Sequence, residues 1–279
     1  MIGFIGSVFS PWYYWAGRQN PQNHVCINVA TYGRGGRFTM TDRGQSALRR
    51  TTSSLEVGPS SMCWENDRLV VDIDEVSSLP LVNRIRGQVR LIPSAITKVE
   101  LPLCSDNSHI WRPFAPISEI EVDIDRPGWS WRGHGYFDAN FGTRALEDDF
   151  DYWTWGRFPV LNGAKCFYDV IRRDGTKLAN GYAFSKDGAA HEIAHLPPKT
   201  RLPRSNWTVY RETRVEAGFQ AKQVLPMLDA PFYTRAAVRT QLDGQITTGV
   251  HEALDLRRFR NPILKFLLAC RVPRRTKWR

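Results

Sequence analysis

The amino-acid sequence predicts an all-β protein, built as two antiparallel β domains in tandem and followed by one short C-terminal helix. Three observations lead to this prediction. Short segments rich in β-branched and aromatic residues recur along the 279 residues, separated by Pro, Gly, Asn and Asp clusters, a spacing typical of β-sandwiches and β-barrels. This strand pattern pauses near residue 145 and then restarts. A single apolar segment of helical type lies close to the end of the chain.

The chain starts with an apolar segment, MIGFIGSVFSPWYYWAG. It lacks a basic n-region and a small-residue cleavage site, and Pro11 interrupts it well short of the ~20 residues that a membrane span needs. We therefore expect neither a signal peptide nor a transmembrane helix here. A first strand and a lipid-facing lip are both compatible with the pattern.

Residues 1–145 are predicted to form the first domain. Residues 24–44 have the pattern of a hairpin in which Gly35 and Gly36 supply the positive φ of a tight turn. Its GRGGR segment resembles a phosphate-binding loop, but no helical pattern follows it. The other strand candidates of this domain are SSMCWEN, RLVVDIDEV, RGQVRLIP, SHIWRPF and ISEIEVDID.

The central segment WSWRGHGYFDANFG, residues 129–142, separates polar from apolar residues at a strand's period of two. A solvated strand edge and a site whose polar groups need fixed partners both fit this pattern. Solvated faces are usually built from Lys, Glu, Thr and Ser, which favours the site. The polar face consists of Ser130, Arg132, His134, Tyr136, Asp138 and Asn140.

Residues 146–255 are predicted to form the second domain, with the Asp138 region at or near the junction, where ligand sites tend to lie. Asp-Gly turns occur at residues 174–175, 187–188 and 243–244. The strand candidates are FDYWTWGRF, AKCFYDVIRRDG, KLANGYAFS, NWTVYRET, FQAKQVLPML, FYTRAAVRTQL and QITTGVHEAL.

Residues 256–279 form the last predicted segment. Asn261 can cap a helix that Pro262 opens, and ILKFLLACRV is apolar nearly all round until Pro273 stops it. A helix buried in a core and a short helix lying in a membrane interface both fit. The excess of Lys and Arg favours peripheral contact with an anionic membrane.

The positive charge of the protein is concentrated in this last segment. Nine Lys or Arg residues and no Asp or Glu lie between Leu256 and Arg279, and subtracting nine from the net charge of +10 leaves +1 for the other residues. We therefore expect no nucleic-acid partner. The five cysteines are odd in number and never in a CxxC pair, so they predict no disulfide framework or zinc ribbon and fit a reducing, cytoplasmic compartment.

The segment His191-Glu192-Ile193-Ala194-His195 matches the zinc-protease pattern HExxH. The pattern needs a helix, which brings the two imidazoles to about 6 Å on one face. Asp187-Gly188 before it and Pro197-Pro198 after it leave little room for one. As a strand, the segment would hold the histidines about 13 Å apart, beyond shared coordination. We therefore expect no metal site.

No GxSxG, P-loop or GxGxxG followed by a helix occurs in the sequence. The remaining candidate groups are His109 and Trp111, on one face of SHIWRPF, together with His134, Tyr136 and Asp138. If these faces meet, a carboxyl group lies among imidazoles, a phenol and an indole. Such an arrangement suits protonation of a carbon atom, because aromatic faces stabilise a developing carbocation by about 2 kcal/mol each when water is excluded.

Four segments, GFIGSVFSPWY, NVATYGRGGRFTMTDRG, SHIWRPFAP and GHGYFDANFGTRALE, in this order, resemble the acyclic carotenoid 1,2-hydratases, also called hydroxyneurosporene synthases. The resemblance extends from Gly3 to about Trp155 and continues more loosely beyond. It implies two lipocalin-like β domains, no cofactor, and addition of water to the terminal C1=C2 double bond of neurosporene or lycopene. Its important positions fall on His109, Trp111, Tyr136 and Asp138, and all four match.

The resemblance also implies a role in spheroidene or spirilloxanthin synthesis, and hence a peripheral position on the photosynthetic membrane. Our mechanistic hypothesis makes Asp138 the acid that protonates C2, while Trp111 and Tyr136 stabilise positive charge on C1. His109, or else His134, would orient the water and accept its proton. An aspartic acid with a pKa near 4 would cost about 4 kcal/mol to protonate at pH 7, so a raised pKa is part of the hypothesis.

Two other functions compete with this one, a carrier and the zinc hydrolase that the residues flanking the HExxH segment already disfavour. A lipocalin-like carrier would bind a carotenoid or lipid without changing it, and it would tolerate isosteric replacement of Asp138 and His109. A zinc hydrolase would require the HExxH segment to be helical. The sequence does not specify the preferred carotenoid, whether one or both ends are hydrated, or the oligomeric state.

Overall fold

The computed structural model describes residues 1–78 and 82–275, and it is mostly β. The strands before residue 145 are β1 (Ile2–Ile5), β2 (Val25–Ala30), β3 (Phe38–Thr39), β4 (Asp42–Arg43), β5 (Leu48–Arg50), β6 (Ser54–Val57), β7 (Ser60–Glu65), β8 (Arg68–Val76), β9 (Arg84–Pro93), β10 (Leu101–Pro102), β11 (His109–Arg126) and β12 (Trp129–Gly142). The later strands are β13 (Phe150–Val160), β14 (Gly163–Arg172), β15 (Lys177–Ser185), β16 (Ala190–Glu192), β17 (Lys199–Arg201), β18 (Glu212–Arg214), β19 (Lys222–Asp229), β20 (Tyr233–Leu242), β21 (Gln245–Asp255) and β22 (Arg274–Arg275). The helices are α1 (Pro11–Trp15), α2 (Leu146–Asp149), α3 (Leu256–Phe259) and α4 (Pro262–Arg271), with two short 3-10 turns at Pro21–Asn23 and Gln45–Ala47.

The chain divides into two compact units whose segments are interleaved. The first unit comprises Met1–Pro93, Glu119–Gly135 and Pro262–Arg279, and the second comprises Ser94–Ser118 and Tyr136–Asn261. The predicted domains, 1–145 and 146–255, are contiguous stretches of the chain, whereas these units are each made of separate stretches. The domain boundaries stay a prediction. Of the predicted tail, residues 276–279 lie outside the described part of the chain.

The first unit contains two sheets. One has the order β1-β2-β4-β22, with β3 paired to β2, and the other runs β11-β9-β8-β7-β6-β5, with β12 paired to β11. The predicted hairpin at residues 24–44 forms between β2 and β3. In its turn Gly33 and Gly35 have positive φ. Gly36 does not, so the prediction for Gly36 was wrong. Glycine is needed there for space, because a Cβ atom would lie 2.7 Å from the Thr31 carbonyl oxygen.

The second unit is built on a seven-stranded sheet of order β16-β15-β14-β13-β21-β20-β19, together with the two-stranded pair β17-β18. The core on one side of this sheet packs Phe158 and Phe167 against Leu202, Val215 and their neighbours. In this unit the start of β11 pairs with β10. None of these strand orders closes on itself in the described residues, so the sheets are open.

Most predicted strands are present, and two differences have identifiable causes. The segments SHIWRPF and ISEIEVDID form one continuous strand, β11, in spite of Pro113 and Pro116. The carbonyl oxygens of these prolines accept hydrogen bonds from the side chains of Thr97 and Arg157, so the strand continues without unsatisfied groups there. Of the segment NWTVYRET, only the last two residues lie on a strand, β18; the segment begins with a turn, in which Thr208 has positive φ and its N–H donates to the Ser205 carbonyl oxygen.

The C-terminal segment forms the predicted helix, α4, which starts at Pro262 and ends before Pro273. Beyond the helix, β22 pairs in parallel with β4, and Val272 packs with Cys26 and Met40. The end of the described chain is therefore part of the core of the first unit. No helix in the described residues has the length and apolar character required to cross a membrane.

Candidate active site

The candidate site in the second unit is centred on the carboxyl group of Asp138. The Trp111 indole N–H donates to Asp138 Oδ2 over 2.8 Å and also lies 3.1 Å from the Tyr136 hydroxyl oxygen. Trp111 is 1% exposed, whereas Tyr136 and Asp138 are half-buried. The two groups that donate hydrogen bonds to this carboxyl, the Trp111 indole and the Tyr136 hydroxyl, are both neutral.

The positions of these side chains follow from the alternation of neighbouring strands. Tyr136 and Asp138 are two residues apart on β12, so they project from the same face. Trp111 belongs to β11, the strand paired with β12. Adjacent antiparallel strands bring side chains within about 5 Å of one another. Two strands therefore assemble the carboxyl, the phenol and the indole.

Burial raises the pKa of Asp138 to about 6. Hydrogen bonds from Tyr136 and Trp111 favour the ionised form and lower the pKa, but they do not compensate for the loss of solvent. The charge of Glu252 raises it further and that of Arg235 lowers it. A carboxyl with such a pKa carries its proton in a substantial fraction of molecules near neutral pH, as a general acid must.

Aromatic rings surround this carboxyl. The Trp111 ring lies 5.6 Å from that of Tyr168, and the Tyr136 ring lies 5.1 Å from that of Trp155, both measured between ring centroids. Trp155 and Tyr168 are cross-strand neighbours on β13 and β14. Burial raises the pKa of the Tyr136 and Tyr168 hydroxyls well above their ordinary value. Both phenols stay neutral, so their rings present π-faces without a charge of their own.

His109 lies two residues before Trp111 on β11 and is 2% exposed. Its Nε2 is 2.7 Å from Asp149 Oδ2, and its ring packs 4.8 Å from that of Phe150. Arg144 also donates to the Asp149 carboxylate. Burial lowers the pKa of His109, and the interaction with Asp149 opposes this shift. The imidazole is therefore held neutral, with one nitrogen on a carboxylate that can stabilise an added proton.

Two further buried groups support the site. Arg157 and Cys166 are cross-strand partners on β13 and β14. Arg157 donates to the Pro116 carbonyl oxygen over 2.9 and 3.1 Å, which anchors the strand that carries Trp111. Burial raises the pKa of the Cys166 thiol to about 12. The thiol stays protonated and is not a nucleophile at physiological pH.

The five residues predicted from the sequence have three different environments. Trp111, Tyr136 and Asp138 are in direct contact. His109 is buried with Asp149, whereas His134 is exposed. The sequence reasoning missed Trp155, Tyr168 and Asp149. Alternation in FDYWTWGRF, from which only a strand was predicted, could have indicated Trp153 and Trp155 on one face of β13, but no local signal assigned Asp149 to His109.

The HExxH segment is not helical. His191 and Glu192 lie on β16, which pairs with β15, and His195 lies beyond the end of that strand. In the part of the chain that the structure describes, no group of three His, Cys, Asp or Glu side chains is placed to hold a metal ion. The expectation that this segment is not helical is confirmed, and the expectation of a reaction without metal or cofactor stays a prediction.

The fold and the site together define a lipocalin-like β protein with a half-buried carboxylic acid among aromatic faces. The family model of the carotenoid hydratase CrtC matches residues 1–279, and the chain belongs to this family. The family resemblance inferred from the sequence is therefore confirmed.

Relatives match over their whole length. The chain is 60% identical to an acyclic carotenoid 1,2-hydratase of Cereibacter sphaeroides over 278 residues, covering 100% of this chain and 99% of the relative. It is 56% identical to an acyclic carotenoid 1,2-hydratase of Rhodobacter capsulatus over 279 residues, again covering 100% and 99%. These relatives carry the activity that the resemblance implied.

Solved structures agree with the fold at low sequence identity. A putative AttH from Nitrosomonas europaea matches with a TM-score of 0.56 and 15% identity, covering 83% of this chain and 81% of that one. CghA in complex with Sch210972 matches with a TM-score of 0.52 and 13% identity, covering 86% and 82%. Both likenesses confirm the lipocalin-like fold class.

Proposed function

We propose that this protein hydrates the terminal C1=C2 double bond of an acyclic carotenoid such as neurosporene or lycopene, with Asp138 as the acid. The observation that carries the proposal is the Asp138 carboxyl, which contacts the neutral Trp111 indole and has a pKa of about 6. Two relatives at 60% and 56% identity, each matched over 99% of its length, are acyclic carotenoid 1,2-hydratases.

The first step transfers the carboxyl proton of Asp138 to C2. The electron pair of the double bond forms the new C2–H bond, and C1 becomes a tertiary carbocation. The faces of Tyr136 and Trp111, and those of Trp155 and Tyr168 beyond them, support this charge because π-faces attract cations. Protonation at C2 rather than C1 follows from the greater stability of the tertiary cation.

The second step adds water to C1. Its oxygen forms the C1–O bond, and one water proton passes to His109, whose pairing with Asp149 stabilises the imidazolium. A relay returns a proton to Asp138, so the net change is the addition of one water molecule. Of the two histidines considered, the buried, carboxylate-paired His109 is better suited to this role than the exposed His134.

The reaction also requires access to lipid, because a long acyclic polyene dissolves in a bilayer and not in water. We place the protein on the surface of the photosynthetic membrane, where peripheral attachment would bring one end of the carotenoid to the site. The excess of Lys and Arg in residues 256–279 supports this placement.

Incubation of the purified protein with lycopene in heavy-oxygen water tests the activity. We expect the label in a tertiary alcohol at C1, detected by mass spectrometry. Asp138→Asn should form it about 10²- to 10⁴-fold more slowly, whereas Asp123→Asn, a matched change at an exposed position of β11, should behave as wild type. Binding of lycopene without labelled product would instead indicate a carrier.

A further inference from the structure

The helix α4 exposes its apolar side and buries its lysine. Lys265 is 1% exposed, whereas Ile263, Phe266 and Leu267 are 66%, 65% and 55% exposed. Residues three and four apart lie on the same face of a helix, so these three side chains form one stripe. A helix that simply packs on a soluble core has the opposite arrangement.

The side chains of α1 extend this stripe within the first unit. The Trp15 ring lies 5.3 Å from that of Phe266, and the Lys265 ammonium nitrogen lies 4.9 Å from the centre of the Tyr14 ring. Tyr14 and Trp15 are themselves 37% and 42% exposed. We call the exposed surface formed by Tyr14, Trp15, Ile263, Phe266 and Leu267 the two-helix patch.

The two-helix patch is held firmly to the first unit. The Trp12 indole N–H donates to the Val272 carbonyl oxygen over 2.6 Å, and Val272 is buried. The next residues form β22, which pairs in parallel with β4. The side chain of Arg274 on β22 also forms an ion pair with Asp42 on β4. The exposed apolar side chains therefore belong to fixed helices and not to a loose tail.

The chain segments that form the patch carry only positive charge. Residues 1–41 and 262–279 contain no Asp or Glu. Arg18 lies over the Tyr14 ring, and Arg271 is exposed at the end of α4. Exposed aromatic and aliphatic side chains beside a positive surface match the acyl region and the anionic headgroups of a lipid bilayer.

We infer that the two-helix patch is the surface through which this protein docks on an anionic membrane. Ile263, Phe266 and Leu267 enter the acyl boundary, while Tyr14 and Trp15 occupy the headgroup level favoured by aromatic rings with a polar edge. The inference rests on these helices and not on the chemistry at Asp138, although a membrane-borne carotenoid gives the docking a purpose.

Flotation with lipid vesicles tests this surface with a closely matched pair of substitutions. Ile263→Ser removes a patch residue that is 66% exposed, and Ile246→Ser removes one that is 65% exposed on a hairpin of the second unit. On vesicles of phosphatidylcholine and phosphatidylglycerol, we expect Ile263→Ser to weaken binding about tenfold, close to the transfer free energy of one aliphatic side chain. Ile246→Ser should bind like wild type.

Lipid charge and a label at Cys270 give independent readouts. Binding should weaken on phosphatidylcholine alone and at high salt. Cys270 is exposed on the same side of α4, and an environment-sensitive fluorophore there should report an apolar surrounding when vesicles are added. This measurement needs no substitution and stays informative if Ile263→Ser lowers stability.

Equal vesicle binding by the two isoleucine variants, or a Cys270 fluorophore that does not respond to vesicles, would overturn the inference. So would a lipid-free dimer that Ile263→Ser converts to monomer without any change in vesicle binding, because the patch would then join two copies of the chain. Hydration of lycopene in detergent micelles should be the same in both variants. If the wild-type protein does not hydrate lycopene in micelles, that result would contradict the proposed function and would leave the test of the docking surface unaffected.

Discussion

Two aspartates with very different partners distinguish the two units of the molecule. Asp42, on β4 of the first unit, is fully buried and contacts the Arg274 guanidinium, the Ser10 hydroxyl and the His24 imidazole. Asp138, in the second unit, accepts a hydrogen bond from the neutral Trp111 indole. Both carboxyls are removed from bulk water, but only Asp42 faces a cation directly.

The difference indicates which carboxyl is suited to release a proton. A cation beside a buried carboxylate offsets the cost of taking its charge out of water, and the pair then stabilises the fold. Ser10 and Arg274 bring the beginning and end of the chain to Asp42, as expected of a structural contact. At Asp138, neutral donors offset only part of the free energy needed to remove the charged carboxylate from water, and its pKa is therefore raised.

The sharpest test of this comparison replaces each aspartate with asparagine. Asp138→Asn should keep the fold and reduce hydration of lycopene by about 10²- to 10⁴-fold, the contribution of a general acid. Asp42→Asn should leave turnover per folded molecule unchanged and lower the free energy of unfolding by about 3 to 5 kcal/mol, because Arg274 would lose its buried partner. Product chromatography and urea unfolding measure the two effects. Near-normal turnover by Asp138→Asn would exclude it as the acid.

The pH dependence of stability should report the raised pKa of Asp138. The pKa of Asp138 is about 6 in the folded protein and about 3.9 when unfolded. Stability from its retained proton is therefore full below about pH 4 and is lost as pH rises through about 6. Over this interval, Asp138→Asn should gain up to about 3 kcal/mol relative to wild type.

Urea unfolding of wild type and Asp138→Asn on both sides of this interval measures the gain. Asp123→Asn, at an exposed position of β11, is the control for replacing one aspartate by asparagine. Parallel curves for wild type and Asp138→Asn would contradict the raised pKa. Hydration should likewise decline on the alkaline side, at a pH that rises when hydrocarbon fills the site and excludes more water.

Much of this site could be predicted from local patterns in the sequence. The period of two placed Tyr136 beside Asp138 and Trp111 beside His109, because the alternation of side chains is a property of any extended strand. The structure brings three of these four residues into contact. What periodicity could not supply was the register between distant strands, which places Trp155 and Tyr168 at the same site.

The remaining features depend on tertiary contacts between residues far apart in the chain. Asp149 follows His109 by 40 residues, and nothing local distinguishes it from its acidic neighbours in LEDD. The C-terminal helix itself was predictable from its cap and prolines. The helix buries Lys265 and exposes Phe266, while the residues after it are held by the contacts of Val272 and Arg274. These contacts are made with distant residues, so the helical pattern of the sequence could not predict which side of the helix is buried.

The pair formed by His109 and Asp149 offers a test of the second half of the reaction. His109→Asn should lower turnover about 10²-fold, because the added water would lose its proton acceptor. Asp149→Asn should lower it less and make His109 a weaker base, since the carboxylate opposes the downward shift of the His109 pKa. Steady-state hydration rates over a range of pH measure both effects. Equal pH profiles for wild type and Asp149→Asn would mean that the pair has only a structural role.

Trp111→Phe should have a smaller effect, visible mainly in the titration of Asp138. The indole N–H stabilises the ionised carboxyl, so its removal should move the alkaline limb of the hydration profile to higher pH. Loss of this contact also frees the carboxyl to rotate, and we expect about tenfold slower turnover at the optimum. Trp153→Phe is the control, because Trp153 packs on Phe150 and Tyr168 without donating to Asp138. An unchanged limb in Trp111→Phe would show that the indole is only a wall of the site.

The smallest effect should come from His134→Asn. His134 shares the polar face of β12 with Tyr136 and Asp138, but its side chain is exposed, whereas His109 is buried against a carboxylate. Surface substitutions usually change free energies by less than about 0.5 kcal/mol, so turnover should stay within about twofold of wild type. Rates measured beside His109→Asn under identical conditions decide between the two histidines. A large loss in His134→Asn together with a small one in His109→Asn would move the water-handling role to the exposed residue, and burial would then be the wrong criterion for identifying the base.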